Sequence, residues 1–223
     1  MKIGIVIAVE RELVSFLQSS YTIEEKYHGR VKYSSTKVND NEVYAIKSGW
    51  GLIDAAAATQ FMISVLDCSA IINFGVTGAL DPELKIKELF VVKKCMNYDF
   101  DTSCIDDVKK HQYAEYNDEF IPLDASMIEF VKGIRDIKEV NCCSGDQFIE
   151  KREDKINRFK ADCQICDMEI AAIARICSLN EVKCLSIKCI SDAFDGDGSD
   201  FENNVREASD KAFRLIDEIL KKL

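Results

Sequence analysis

Five short, dominantly apolar runs, Ile3–Val9, Val43–Ile46, Ala70–Phe74, Leu89–Val92 and Leu185–Ile190, constrain this chain more than any other feature. Runs of this length without regular alternation suit strands covered on both faces, as in a parallel sheet with helices above and below. Between them the spacing predicts helices over Glu12–Gln18, the alanine-rich Ile53–Leu66, Ala125–Ile134, Met168–Leu179 and a long terminal segment from Phe201. In that last segment Val205, Ala208, Ala212, Leu215, Ile216 and Ile219 recur at helical spacing, with charges on the other side. Arg30–Val38 and Val43–Ile46, joined by Asn-Asp-Asn at 39–41, read as a hairpin. The expected fold is therefore an α/β layered domain around a mixed, largely parallel sheet, in which ligands bind beyond the carboxyl ends of the strands.

The chain has 223 residues, enough for one sizeable core, and only two prolines, Pro82 and Pro122, with no linker or repeat. A single domain over residues 1–223 is expected. Against 29 Lys and Arg stand 39 Asp and Glu, a net charge of −10, which repels nucleic acid and anionic membrane surfaces. The apolar start reaches a charge at Glu10, too soon for a signal peptide core, and the run Ala70–Leu80 is interrupted by Asn73 and two glycines. A soluble, cytoplasmic protein is expected. Its ten cysteines then read as reduced, apolar packing rather than a disulfide framework. Cys163-Gln-Ile-Cys166 is the one CxxC, and a zinc site would need a second pair or two histidines at ligand spacing, whereas His28 and His111 are far apart. Neither a metal nor another cofactor is expected.

Four strand ends carry groups capable of chemistry: Glu10 and Glu12, Asn73-Phe-Gly-Val-Thr-Gly78, Asp167-Met-Glu169, and Ser191-Asp192. Taken singly, an acid such as Glu12 or Glu169 at a helix start reads first as a partner for the helix dipole. Gly75 and Gly78 either make a tight turn or let backbone amides approach an anion, and they lack the third glycine of a dinucleotide fingerprint.

Together these segments resemble a known family. Lys-Ile-Gly-Ile-x-x-Ala-x-x-Glu-x-Glu at the start, Ser48-Gly-Trp-Gly51, Asn73-x-Gly-x-x-Gly-x-Leu80, Ser144-Gly-Asp-x-Phe-Ile149, Met168-Glu169-x-x-Ala172-Ile173-Ala174 and Ile190-Ser-Asp192 occur in the order and approximate spacing of the 5′-methylthioadenosine/S-adenosylhomocysteine nucleosidases. These belong to the nucleoside phosphorylase superfamily. The resemblance runs over the whole chain and implies a three-layer sandwich, hydrolysis of the bond between adenine and ribose, and a homodimer acting on a small adenine nucleoside. It implies Asp192 as the acid at purine N7 and Glu12 as the base that positions water. It also implies ribose contacts from Met168 and Glu169, stacking by Phe148 and backbone pairing at Ile149. Val9, Trp50 and Phe201 would line the 5′ pocket, with Ile105 entering from a partner subunit. Val76, Thr77, Gly78, Asp167, Lys188 and Ser191 complete the implied substrate-contacting set.

The chemistry agrees with these residue types. Adenine leaves poorly as an anion, so a proton must reach the ring as the sugar becomes oxocarbenium-like. A carboxylic acid kept neutral by burial supplies it, and Asp192 follows an apolar run that would bury it. Water needs a second carboxylate on the opposite face of the sugar. The chain departs from the family pattern at Lys188, which stands for an arginine, at Val76, for a small hydroxyl residue or alanine, with Phe74 enlarging the same turn, at Trp50, for a smaller aliphatic, and most of all over Cys104–Glu119. An apolar Val76 removes a phosphate donor and favours hydrolysis over phosphorolysis, while Thr77 and Lys188 keep the phosphorylase reading open. A non-catalytic nucleoside-binding member of the fold is the third reading.

Overall fold

The computed structural model describes residues 1–150, 153–154, 162–196 and 198–223. In these residues the strands are β1 (Lys2–Ile7), β2 (Glu24–His28), β3 (Val31–Val38), β4 (Asn41–Lys47), β5 (Ala70–Ala79), β6 (Leu89–Asn97), β7 (Ile121–Pro122), β8 (Lys138–Ser144), β9 (Ile165–Asp167) and β10 (Lys183–Asp192). The helices are α1 (Glu10–Leu17), α2 (Leu52–Ser64), α3 (Ala125–Ile134), α4 (Ile170–Leu179) and α5 (Gly198–Leu220). The apolar runs became β1, β4, β5, β6 and β10, and the hairpin closes at Asn39, whose φ of 54° is one that asparagine tolerates.

The sheet is mixed. β4, β1, β5 and β10 lie side by side and parallel. β10 then pairs antiparallel with β6, β6 parallel with β8, β8 parallel with β9, and β9 returns antiparallel to β5 at Gly78 and Ala79. Five strands thus close a ring, β5-β10-β6-β8-β9, from which β1, β4, β3 and β2 extend as an open wing. Helices cover both faces. Residues three apart on a strand point to opposite sides: Phe74 meets Phe213 of α5 at 5.6 Å between ring centroids, whereas Ile71 lies with Met62 of α2 over Gly4. α1 packs on α5, and α4 packs on α2.

Nine of the ten cysteines are buried and Cys104 is exposed. Burial pushes the Cys68 and Cys189 thiols up to about 12, so they pack as apolar side chains. His28 packs on Phe61 in the wing, and His111 Nδ1 lies 3.0 Å from the Phe100 carbonyl. Among the described residues no cluster of three or more His, Cys, Asp or Glu could hold a metal ion, and no helix is long and apolar enough to cross a membrane.

Candidate active site

The carboxyl ends of β1, β5, β9 and β10 converge on one cleft, which opens to solvent and whose empty space, solvent side included, is about 510 Å³. Of the residues that the family resemblance implies at the site, all but Lys188 and Ile105 line it: Val9 and Glu12, Trp50, Val76, Thr77 and Gly78, Phe148 and Ile149, Asp167, Met168 and Glu169, Ser191 and Asp192, and Phe201; Glu10, Asn73 and Gly75, also noted at strand ends, do not. Lys188 lies beneath this floor at 2% exposure, and Ile105 stands in the β6–β7 connection at 80% exposure, outside the cleft. Ala8, Gln147 and Cys166 also line the cleft. Sequence reasoning had not selected them as site residues, and their only signal was adjacency to ones it had.

Local sequence explains how the acids are held. β1 runs out at Ile7 and α1 starts at Glu10, so Glu12 sits in the first turn, where its Oε2 accepts from the Val9 N–H at 3.3 Å. Its Oε1 accepts from the Val76 N–H at 2.8 Å. A side chain on Gly75 would place its Cβ 2.4 Å from that Oε1, so only glycine lets the carboxylate lie flat on β5. Asp192 ends β10 beside the same strand, at 5% exposure. Its Oδ1 accepts from Ser191 Oγ at 2.9 Å, and a Cβ on Gly78 would meet its Oδ2 at 2.7 Å. The Gly-x-x-Gly of β5 therefore seats two carboxylates rather than cradling an anion with its amides.

Glu169 stands at the N-terminus of α4 and accepts from the N–H groups of Gly51 (3.1 Å) and Met168 (3.3 Å). Gly51 presents that N–H at a φ of 92°, in the left-handed region glycine occupies freely. Asp167 accepts from Ser144 Oγ at 2.6 Å and pairs with Lys188 Nζ at 2.8 Å. Lys188 answers three carboxylates. Burial pushes its ammonium down, but Asp167, Glu169 and Glu12 outweigh that and hold it above its usual range. Burial raises the Glu12 carboxyl, against the pull of Lys188 and the Val76 and Val9 N–H groups. Burial, reinforced by Asp167, raises Glu169 to about 8 despite Lys188.

Apolar groups form the mouth. Phe201 sits 6.0 Å from Trp50 and 5.6 Å from Phe148 between ring centroids, the latter edge to face, which leaves flat aromatic surface for a planar ligand. Opposite, the Thr77 hydroxyl donates to the Cys166 carbonyl at 2.7 Å.

A model of the Phosphorylase superfamily matches residues 2–221. The 5′-methylthioadenosine/S-adenosylhomocysteine nucleosidase of Buchnera aphidicola subsp. Schizaphis graminum is 32% identical over 239 residues, covering 100% of this chain and 97% of the relative. Among solved structures, the Helicobacter pylori enzyme of the same name, complexed with a pyrrolidine ligand carrying an aminopyrrolopyrimidine, superimposes with a TM-score of 0.92 at 26% identity, covering 100% and 99% of the two chains. The futalosine hydrolase of Helicobacter pylori gives a TM-score of 0.92 at 25% identity, with 100% and 98% covered. With a family model across nearly its whole length and a relative above 30% identity end to end, the chain belongs to the 5′-methylthioadenosine/S-adenosylhomocysteine nucleosidase family of the phosphorylase superfamily.

Proposed function

We propose that the chain, as a single-domain enzyme, hydrolyses the N-glycosidic bond of 5′-methylthioadenosine and S-adenosylhomocysteine to adenine and the thioribose. The observation that carries this reading is the seating of two buried carboxylates, Glu12 and Asp192, on Gly75 and Gly78 of one strand at the floor of a cleft with an aromatic mouth. Phe148 stacks on the purine and the Ile149 backbone pairs with its edge. Asp192 donates its proton to N7 as the glycosidic bond lengthens, so that neutral adenine departs. Glu12 orients a water on the opposite face of the sugar and takes its proton as the new bond to the anomeric carbon forms. Met168 and Glu169 hold the ribose, and Val9, Trp50 and Phe201 enclose the 5′ substituent.

Water rather than phosphate as nucleophile is supported by what the donors near Glu12 already do. The Val76 N–H donates to Glu12, the Thr77 hydroxyl to the Cys166 carbonyl, and the Lys188 ammonium pairs with Asp167, so the donors that would greet a phosphate already have partners. The purified protein is expected to release adenine from 5′-methylthioadenosine in phosphate-free buffer. Turnover that appears only with added phosphate overturns hydrolysis.

The working form proposed is a cytoplasmic homodimer. Ten free thiols suit a reducing compartment. Ile53 (78%), Ile105 (80%), Trp50 and Phe148 are large apolar side chains left exposed, surface of the kind a second copy covers. Sedimentation at micromolar concentration tests this, and a persistent monomer removes it.

A further inference from the structure

The connection over residues 145–150, which carries Phe148 and Ile149, has no helix or strand of its own, so its shape depends on what it is tied to. From behind it hangs on the end of β6: Asp99 Oδ2 accepts from the Asp146 N–H at 2.9 Å, and the Tyr98 hydroxyl donates to the Gln147 carbonyl at 3.1 Å. Toward the mouth, two carboxylates of the loop itself reach outward. Asp146 Oδ1 accepts from the Leu52 N–H at 2.7 Å, at the first residue of α2. Glu150 Oε1 accepts from the Gly198 N–H at 3.2 Å, at the first residue of α5. The first N–H groups of a helix have no partner within it, and the helix dipole favours a negative charge there. The fit is close at α2, where a Cβ on Gly51 would lie 2.5 Å from Asp146 Oδ1. Both acids are exposed, yet each contact orders only one side chain against a fixed backbone donor, unlike a surface ion pair that must order two.

We propose that Asp146 and Glu150 are positioning residues for the purine: by mooring their loop to the N-termini of α2 and α5, they hold Phe148 in its stacking position before a nucleoside arrives. The assignment rests on the reading of Phe148 as the stacking residue and names what keeps that surface formed. The three aromatic side chains of the mouth come from three separate segments. Trp50 precedes α2 across Gly51, Phe148 lies between the two acids, and Phe201 is in the first turn of α5. The Asp146 contact therefore fixes the loop against the Trp50 turn, and the Glu150 contact fixes it against Phe201. Packing alone holds Phe148 weakly, because its ring is 45% exposed and meets Phe201 edge to face at 5.6 Å between centroids. A loop that spends only part of its time in the binding shape weakens apparent affinity by that fraction, and the two moorings remove this loss. Neither acid touches the ligand. The same helix end also serves the ribose side, since the Gly51 N–H donates to Glu169 while the Leu52 N–H donates to Asp146.

The test is steady-state hydrolysis of 5′-methylthioadenosine, with adenine as competitive inhibitor, in wild type, Asp146→Ala, Asp146→Asn, Glu150→Ala, Glu150→Gln, Phe148→Ala and each acid-to-alanine change combined with Phe148→Ala. Loss of either acid is expected to raise KM and the adenine inhibition constant about fivefold, with kcat kept within about twofold because Glu12 and Asp192 are untouched. Asparagine and glutamine keep an accepting oxygen and are expected to recover most of the loss. Without Phe148, removing either acid is expected to change neither constant further, since a contact that acts through Phe148 has nothing left to hold. Adenine has no ribose, so its inhibition constant separates this effect from one relayed through Glu169. Unchanged constants in both Asp146→Ala and Glu150→Ala, or losses that persist undiminished without Phe148, overturn the assignment while leaving the stacking role intact. A Phe148→Ala protein that binds as well as wild type overturns the stacking role, and the mooring with it. If no nucleoside is hydrolysed, the hydrolase reading fails alone, and dissociation constants for adenine, read from Trp50 emission, decide the mooring by the same comparisons.

Discussion

Lys188 Nζ lies 2.8 Å from Asp167 Oδ2, with the two side chains 3% and 2% exposed, making a buried ion pair directly under the nucleoside cleft. Removing one partner of such a pair leaves the other charged without compensation, which costs about 3–5 kcal/mol. Lys188→Met is expected to lose that much in urea denaturation, and Lys188→Met/Asp167→Asn to recover most of it. Lys188 has a raised folded-state pKa, so its contribution is fully present below the unfolded lysine value and is lost only as pH rises through the folded one. Lys188 itself keeps its charge across neutral pH, so any pH dependence of the deficit there comes from Glu169 and Glu12, whose carboxyls it holds down. A double variant no more stable than Lys188→Met refutes the pairing as the cause.

Glu169 makes the opposite demand. Its carboxyl is raised from near 4.5 to about 8, first by burial and then by Asp167. Between those values the folded chain binds a proton that the unfolded chain has released, so stability falls as pH rises through this window. Thermal melts from about pH 5 to about pH 8 are expected to show that decline. Glu169→Gln should flatten the curve without abolishing its slope, because Glu12 is raised in the same direction. A variant whose melting temperature falls as steeply as wild type removes Glu169 as the titrating group.

Gly75 and Gly78 can be tested separately. Gly75→Ala sets a methyl 2.4 Å from Glu12 Oε1, and Gly78→Ala sets one 2.7 Å from Asp192 Oδ2 and 3.1 Å from Cys166 Sγ. Each must displace its carboxylate, and a shift on the order of 1 Å costs roughly 10²-fold in rate. Both variants are expected to lose about that much kcat while circular dichroism stays native. Full activity in either would show that the acid it crowds need not sit where the structure places it.

What could be read before the structure divides along physical lines. β1, β4, β5, β6 and β10 announce themselves because strands covered on both faces are apolar throughout, with Ile3, Ile5, Val6 and Ile7 wholly buried. β2, Glu-Glu-Lys-Tyr-His with all five residues exposed, is an edge strand that leaves no apolar pattern. β9 is three residues long, yet it closes the ring from β8 to β5, a consequence of tertiary pairing that no local period encodes. The acids Glu12, Asp167, Glu169 and Asp192 were legible because they follow strand ends, whereas Val9, Phe148, Ile149 and Phe201 were implied by the family resemblance. The Lys188–Asp167 pair was not, since the partners belong to different strands, β10 and β9. The one local hint was a lysine inside an apolar run, which demands a buried anion somewhere.

Asp192 and Trp50 allow chemistry and binding to be separated in one protein. As the proposed proton donor, Asp192 acts mainly in the transition state, so Asp192→Asn is expected to lower kcat by about 10²–10⁴ while binding changes little. Trp50 reports the binding independently. It is the only tryptophan in the chain, lines the cleft and stands 54% exposed beside Phe201, so its emission in the free protein should be that of a wetted indole. A nucleoside that fills the mouth displaces that water, and the emission should move to shorter wavelength. In Asp192→Asn turnover is slowed enough that titration with 5′-methylthioadenosine, read promptly after mixing, gives a dissociation constant. An inactive variant with a wild-type fluorescence shift assigns Asp192 to the chemical step. An inactive variant with no shift assigns it to binding, and a fully active one removes it from the reaction.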